Sequence, residues 1–143
     1  MKSLTEFIKE NNIKPNGFVI LKPGFLQHEK EFVDLLDNKG WKMIEKSKKR
    51  LTKNQAESLY NMHKDKPFFP ALSEYMSSGD CLCCTCYKDD TKDPIKDMDK
   101  LKDQVRDNWG KDDMENAMHS SDSLENVSRE SDICINGDQT SPA

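Results

Sequence analysis

The sequence contains no apolar run near the roughly 20 residues that a membrane-spanning helix needs. Its first nine residues also lack the long apolar core of a secretory signal peptide. We therefore expect no membrane association and a cytoplasmic location. The net charge of −4 excludes the general basic character of nucleic-acid-binding proteins. Basic residues do gather between 42 and 53, but we interpret them as a solvated strand edge and expect no nucleic-acid partner.

The chain has 143 residues, which is enough for one domain with a hydrophobic core. Hydrophobic residues and charged residues each make up 34%, so much of the chain must be surface or polar tail. We place the domain at 17–135. Residues 1–16 form a polar N-terminal extension, and residues 136–143 form a disordered tail.

Four of the five cysteines lie within 81–86, a pattern that invites a metal site. Structural zinc sites usually draw their ligands from two separated pairs, however. If this run is a strand, Cys81 and Cys83 share one face, whereas Cys84 and Cys86 share the other with Leu82. Four thiolates then cannot converge on one ion. We therefore predict a buried central strand, with metal or redox chemistry as the alternative.

The order of predicted elements indicates the fold class. Residues 18–21 predict a buried strand, 26–38 a helix, and 41–51 a second strand. Thr52 and Gln55 predict a capping box at the start of the next helix. A further helix and the cysteine strand follow. After them come a charged connection over 88–102, which has room for a short helix but almost no apolar face, then a helix over 122–130 and a last strand at 133–135. The series is α+β with a ferredoxin-like βαββαβ order, a four-stranded antiparallel sheet covered by helices.

The stretch 116–130 holds the strongest candidate for chemistry. His119 precedes a Ser-Ser-Asp-Ser cluster in which Ser121 or Asp122 could cap a helix. Imidazole is nucleophilic and largely unprotonated near neutral pH, and a carboxylate on its other nitrogen would fix the tautomer. The alternative is an exposed loop histidine beside an ordinary helix cap.

Five segments in order resemble one enzyme family: FVILKP at 18–23, KDKPFF at 64–69, YMSSG at 75–79, NAMHSSDS at 116–123 and RE at 129–130. Together they resemble nucleoside diphosphate kinase, over about residues 17–135. The resemblance implies transfer of the γ-phosphoryl group of a nucleoside triphosphate to the enzyme's own histidine and then to a nucleoside diphosphate, a ping-pong mechanism. It also implies Mg²⁺ as cofactor, carried by the nucleotide phosphates without protein ligands, and a homo-oligomer.

The resemblance implies a catalytic role for five residues. His119 matches the nucleophile, and Lys22 would hold phosphate oxygens. Tyr60 would support both of them, Glu130 would accept a hydrogen bond from the far ring nitrogen of the histidine, and Ser121 would complete the pocket beside it.

Four more residues match nucleotide-binding positions. Phe68 would stack on the base, which suits broad base specificity because every base has a π-face. Arg106 would contact the phosphates, and Asn116 the sugar and phosphate. Lys66 stands where many members have arginine.

The sequence departs from the family pattern near the nucleophile and after Tyr87. Ser120 replaces a glycine, and the connection from Tyr87 to Arg106 is short. One arginine and one threonine that contact phosphates in the family have no match. The alternative function is therefore a catalytically weak or inactive relative that binds nucleotide or protein partners.

Overall fold

The computed structural model describes residues 6–7 and 10–137. Four strands, β1 (Gly17–Leu21), β2 (Lys42–Lys49), β3 (Cys81–Tyr87) and β4 (Met118–Ser120), form one sheet in the order β2-β3-β1-β4. All three neighbouring pairs are antiparallel. The predicted four-stranded antiparallel α+β sheet is confirmed. Residues 1–5 and 8–9 of the predicted N-terminal extension and residues 138–143 of the predicted tail lie outside the described residues.

Within residues 17–137, five α-helices cover the sheet, and local sequence explains several of their ends. They are α1 (Glu29–Asn38), α2 (Lys53–Leu59), α3 (Phe69–Met76), α4 (Pro94–Trp109) and α5 (Leu124–Cys134). The predicted capping box is present at α2, where Thr52 and Gln55 exchange hydrogen bonds of 2.8 and 3.1 Å. Gly40 follows α1 at φ +89°, a conformation that stops the helix at little cost for glycine. Among the described helices, none is long and apolar enough to cross a bilayer.

The sheet is buried on both faces, and the cysteine strand shows why. Leu82, Cys84 and Cys86 belong to one core cluster, which lies against α1 and α4. Cys81 and Cys83 belong to the other, with residues of α2, α3 and α5. The predicted central strand is confirmed, and its cysteines lie on two faces. In the part of the chain that the structure describes, no group of three or more possible metal ligands is present.

The charged connection was predicted to hold at most a short helix with almost no apolar face, and this was wrong. Residues 94–109 form α4, the longest of the described helices, which buries Met98, Leu101 and Val105. These three residues are spaced three and four apart and therefore make a narrow apolar stripe. The many charges around them concealed that stripe in the sequence.

The predicted last strand at 133–135 was also wrong. Ile133 and Cys134 end helix α5, where they are buried, and Ser123 caps that helix rather than Ser121 or Asp122. The fourth strand is instead β4, which contains His119. Three residues are too few to show the alternation by which a strand is recognised.

Candidate active site

A cleft of about 490 Å³ opens where the end of β1, the start of β4 and the segment between α2 and α3 meet. Its lining combines cationic, aromatic and amide side chains with two histidines. The lining residues are Lys22, Tyr60, His63, Phe68, Leu72, Arg106, Asp113, Met114, Asn116 and His119.

His119 lies on β4 opposite Ile20 of β1, and its side chain is 14% exposed. Its Nε2 atom lies 2.7 Å from Oε1 of Glu130. A carboxylate only accepts, so the shared proton belongs on Nε2, and Nδ1 keeps its lone pair. The arrangement therefore leaves a ring nitrogen able to act as a nucleophile.

Glu130 is almost completely buried on α5 and is held from several sides. Ser121 donates its hydroxyl to the same Oε1 atom at 2.7 Å. Arg129 lies 3.5 Å from Oε2 through Nη2. A buried carboxylate is stable when it is paired and hydrogen-bonded, and these contacts keep the histidine partner in one orientation.

Lys22 directly follows β1 and is only 3% exposed. Its Nζ donates to Asn116 Oδ1 at 2.7 Å and to the Met114 carbonyl at 3.3 Å. Burial lowers its pKa to about 7, and the charges of Arg106 and Lys102 act in the same direction. An ammonium group that is crowded by other cations gains from the arrival of an anion.

Arg106 extends from α4 towards β4, where Nε and Nη2 donate to the Met118 carbonyl at 3.2 and 3.1 Å. That carbonyl belongs to the residue before His119. Asn116 donates to the Asp113 carbonyl at 2.8 Å while accepting from Lys22. These bonds place one arginine, one lysine and one amide beside the imidazole, as a polyphosphate site requires.

Two aromatic side chains complete the cleft. The Tyr60 ring meets the His119 ring edge-on, with centroids 5.5 Å apart. Burial and the nearby Glu130 charge raise the pKa of Tyr60, so its hydroxyl stays protonated. That hydroxyl is buried and has no hydrogen-bond partner among the described residues. Phe68 is 45% exposed and packs near His63, so its face is open to a flat ligand.

The structure brings most of the predicted site residues together. Six line the cleft, namely Lys22, Tyr60, Phe68, Arg106, Asn116 and His119. Ser121 and Glu130 lie behind the histidine. Lys66 is exposed and does not line the cleft.

Sequence reasoning did not select four lining residues. His63 follows Tyr60 by three residues, and that spacing was its only signal. Leu72 belongs to the apolar side of α3. Asp113 and Met114 lie in the connection from α4 to β4, whose course depends on where α4 ends. They had no local signal.

Ser120 does not crowd the nucleophile. It pairs with Val19, whereas His119 pairs with Ile20, so the two side chains point to opposite faces of the sheet. The Ser120 hydroxyl is buried without a hydrogen-bond partner in the described part of the chain.

Comparison with known proteins gives the family. The family model described as nucleoside diphosphate kinase matches residues 16–140. The chain belongs to the nucleoside diphosphate kinase family. By family it is a phosphotransferase.

Individual relatives agree with this assignment. The nucleoside diphosphate kinase of Wolbachia pipientis subsp. Culex pipiens is 35% identical over 102 residues, 66% of this chain and 73% of that protein. That of Saccharolobus solfataricus is 30% identical over 125 residues, 82% of this chain and 86% of the relative.

Solved structures show the same fold. The nucleoside diphosphate kinase of Aquifex aeolicus matches with a TM-score of 0.73 at 25% identity, over 85% of this chain and 94% of that one. The nucleoside diphosphate kinase of Encephalitozoon cuniculi matches with a TM-score of 0.77 at 23% identity, over 90% of this chain and 93% of that one. The second likeness concerns the fold alone.

Proposed function

We propose that this protein transfers the γ-phosphoryl group of a nucleoside triphosphate to Nδ1 of His119 and then to a nucleoside diphosphate. The contact of 2.7 Å between His119 Nε2 and Glu130 Oε1 carries the proposal. It leaves Nδ1 as the free nitrogen of a ring that lines a cationic cleft. Family membership supports the same reaction.

Binding would use different residues of the cleft for different parts of the nucleotide. Phe68 offers an exposed aromatic face on which a base can stack. Lys22, Arg106 and Asn116, which line the same cleft, offer donors to the phosphates. The polyphosphate would relieve the repulsion between Lys22 and Arg106, which gives the anion a favourable electrostatic term.

The chemical step would be an in-line displacement at the γ-phosphorus. A bond forms between Nδ1 of His119 and phosphorus as the bond to the bridging β-oxygen breaks, and the nucleoside diphosphate leaves. Glu130 stabilises the positive charge that develops on the ring through Nε2–H. The Tyr60 ring, packed edge-on against His119, helps to hold the imidazole in place. The reverse displacement onto a second diphosphate completes the cycle.

Divalent metal is a general requirement of the family, and the cleft fits a metal that arrives with the nucleotide. Mg²⁺ is typically bound by substrate phosphates and water with few protein ligands. Residues 6–7 and 10–137 contain no cluster of three possible protein ligands, and Asp113 supplies one carboxylate in the lining. When bound, the metal neutralises charge on the phosphates.

Phosphate exchange between ATP and GDP tests the proposal. Wild-type protein should form GTP with Mg²⁺, whereas His119→Ala should not. His28→Ala is a matched control, because His28 stacks on Trp109 outside the cleft lining. Equal turnover by wild type and His119→Ala would contradict the proposal.

A slow enzyme or a nucleotide-binding relative is the second candidate. The connection from Tyr87 to Arg106 contains no arginine, and its one threonine, Thr91, donates to Asp97 and does not line the cleft. Loss of one charge-assisted phosphate contact costs about a hundredfold or more in rate. Nucleotide binding without measurable exchange, and equal binding by His119→Ala, would favour this candidate.

Solution mass tests whether the protein is the homo-oligomer that the family resemblance implies.

A further inference from the structure

Arg129 joins two elements that flank the nucleophile. Its Nη1 atom donates to the Ser58 carbonyl at 2.9 Å, and its Nη2 atom donates to the Leu59 carbonyl at 3.2 Å. These are the last two carbonyls of α2, which lie at the negative end of the helix dipole. Arg129 itself belongs to α5. One guanidinium therefore ties the end of α2 to α5.

The same guanidinium faces the carboxylate that holds the histidine. Nη2 of Arg129 lies 3.5 Å from Oε2 of Glu130, whereas Oε1 accepts from His119 and Ser121. Arg129 thus approaches the oxygen that the histidine does not use. Because Glu130 is 1% exposed, the guanidinium of Arg129 is one of the few charge partners that this carboxylate has inside the protein. Asn126, one turn earlier on α5, accepts from Nε at 3.1 Å and fixes the plane of the fork.

Both sides of the imidazole depend on these contacts. Tyr60, whose ring meets His119 edge-on, directly follows the Leu59 carbonyl that Arg129 binds. Glu130, which accepts from Nε2 of His119, directly follows Arg129 in the chain. A shift of the guanidinium would therefore move the ring's carboxylate partner and its aromatic neighbour together.

We propose that Arg129 is a positioning residue for phosphoryl transfer, which fixes Glu130 and the Tyr60 turn against each other so that Nδ1 of His119 faces the phosphate. The proposal rests on the proposed function of His119. It requires the planar fork of arginine, because Nη1 contacts the Ser58 carbonyl while Nη2 contacts both the Leu59 carbonyl and the Glu130 carboxylate. Lysine keeps the charge but cannot make all three contacts.

Arg129→Ala and Arg129→Lys test the proposal, with Arg50→Ala as the matched control. Arg50 also donates to a carbonyl at a helix end, Ser77 after α3, but it does not line the cleft. Arg129→Ala should lower kcat by about tenfold to a hundredfold with KM changed less than about twofold. The kcat of Arg129→Lys should lie between those of Arg129→Ala and wild type, and the kcat of Arg50→Ala should equal that of wild type.

The ring of His119 supplies a readout that is independent of turnover. In ¹H–¹⁵N spectra, wild type should show one tautomer with the proton on Nε2, and Arg129→Ala should show exchange between tautomers. If Arg129→Ala fails to fold, a double variant that carries Arg129→Lys and Glu130→Gln tests the proposal instead, by comparison of its kcat with that of each single variant. If Arg129 acts through Glu130, the lysine change should add little to the glutamine variant.

Two results would overturn the proposal: wild-type kcat and ring spectrum in Arg129→Ala, or full additivity in the double variant. Failure of the proposed function gives a different pattern, because wild type would then never acquire phosphate on His119. The tautomer spectrum would still report on Arg129 in that case.

Discussion

Lys22 makes the stability of the nucleotide-free protein depend on pH in a direction opposite to that of a salt-bridged lysine. Burial, assisted by Arg106 and Lys102, lowers its pKa from 10.5 to about 7. Below pH 7 the amine is charged in both the folded and the unfolded chain, so folding bears the whole cost of burying the charge. Between pH 7 and 10.5 the unfolded chain binds more protons, so the free energy of unfolding rises with pH.

The size of this effect follows from the pKa difference. Each pKa unit corresponds to about 1.4 kcal/mol. The contribution of Lys22 to the free energy of unfolding should therefore increase by roughly 2–3 kcal/mol between pH 6 and pH 9. Lys22→Met removes the titrating group and keeps a similar length. It also leaves Asn116 and Met114 without the lysine donor, at a cost that does not change with pH.

Urea unfolding of wild type and Lys22→Met at pH 6, 7.5 and 9 measures the difference. Wild type should gain stability relative to the variant by that amount as pH rises. Nucleotide binding near pH 7 should also take up protons, which calorimetry in two buffers of different ionisation enthalpy detects. Parallel pH curves for the two proteins would refute the reasoning.

Three further predictions concern the fold. Thr52→Ala should cost about 1 kcal/mol in urea unfolding because the capping box with Gln55 is lost, and an unchanged midpoint would contradict this. Ser120→Ala should stabilise by on the order of 1 kcal/mol, because it removes a buried unpaired hydroxyl, and should leave phosphorylation of His119 unchanged. Burial raises the pKa of the Cys84 thiol to about 12, so iodoacetamide at pH 8 should not modify Cys84 in the folded protein. Mass spectrometry after treatment of the native protein measures this, and alkylated Cys84 would contradict the prediction.

The sequence predicted those elements of the fold that are determined by residues close together in the chain. The capping box at Thr52 and the alternation of Cys81 to Cys86 needed no knowledge of distant residues. The stripe of Met98, Leu101 and Val105 was present but was obscured by the charges around it. β4 could not be found this way, because its three residues become a strand only by pairing with β1.

The site likewise contains residues that the sequence identified and residues whose place depends on the tertiary structure. The resemblance supplied the segments that carry Lys22, Phe68 and His119, and the fold brings them to one cleft. The cleft positions of Asp113 and Met114 depend on the end of α4, a tertiary feature. The bonds of Arg129 to the Ser58 and Leu59 carbonyls span about 70 residues of sequence and have no local pattern.

Phosphate on His119 is the most direct test of the central claim. The protein is mixed with ATP and Mg²⁺, quenched in alkali, in which phosphohistidine survives, and mapped by mass spectrometry. We predict one phosphate, on the peptide that contains His119, which is lost when a nucleoside diphosphate is added before the quench. A protein that exchanges phosphate between nucleotides yet never carries it on His119 would contradict the account.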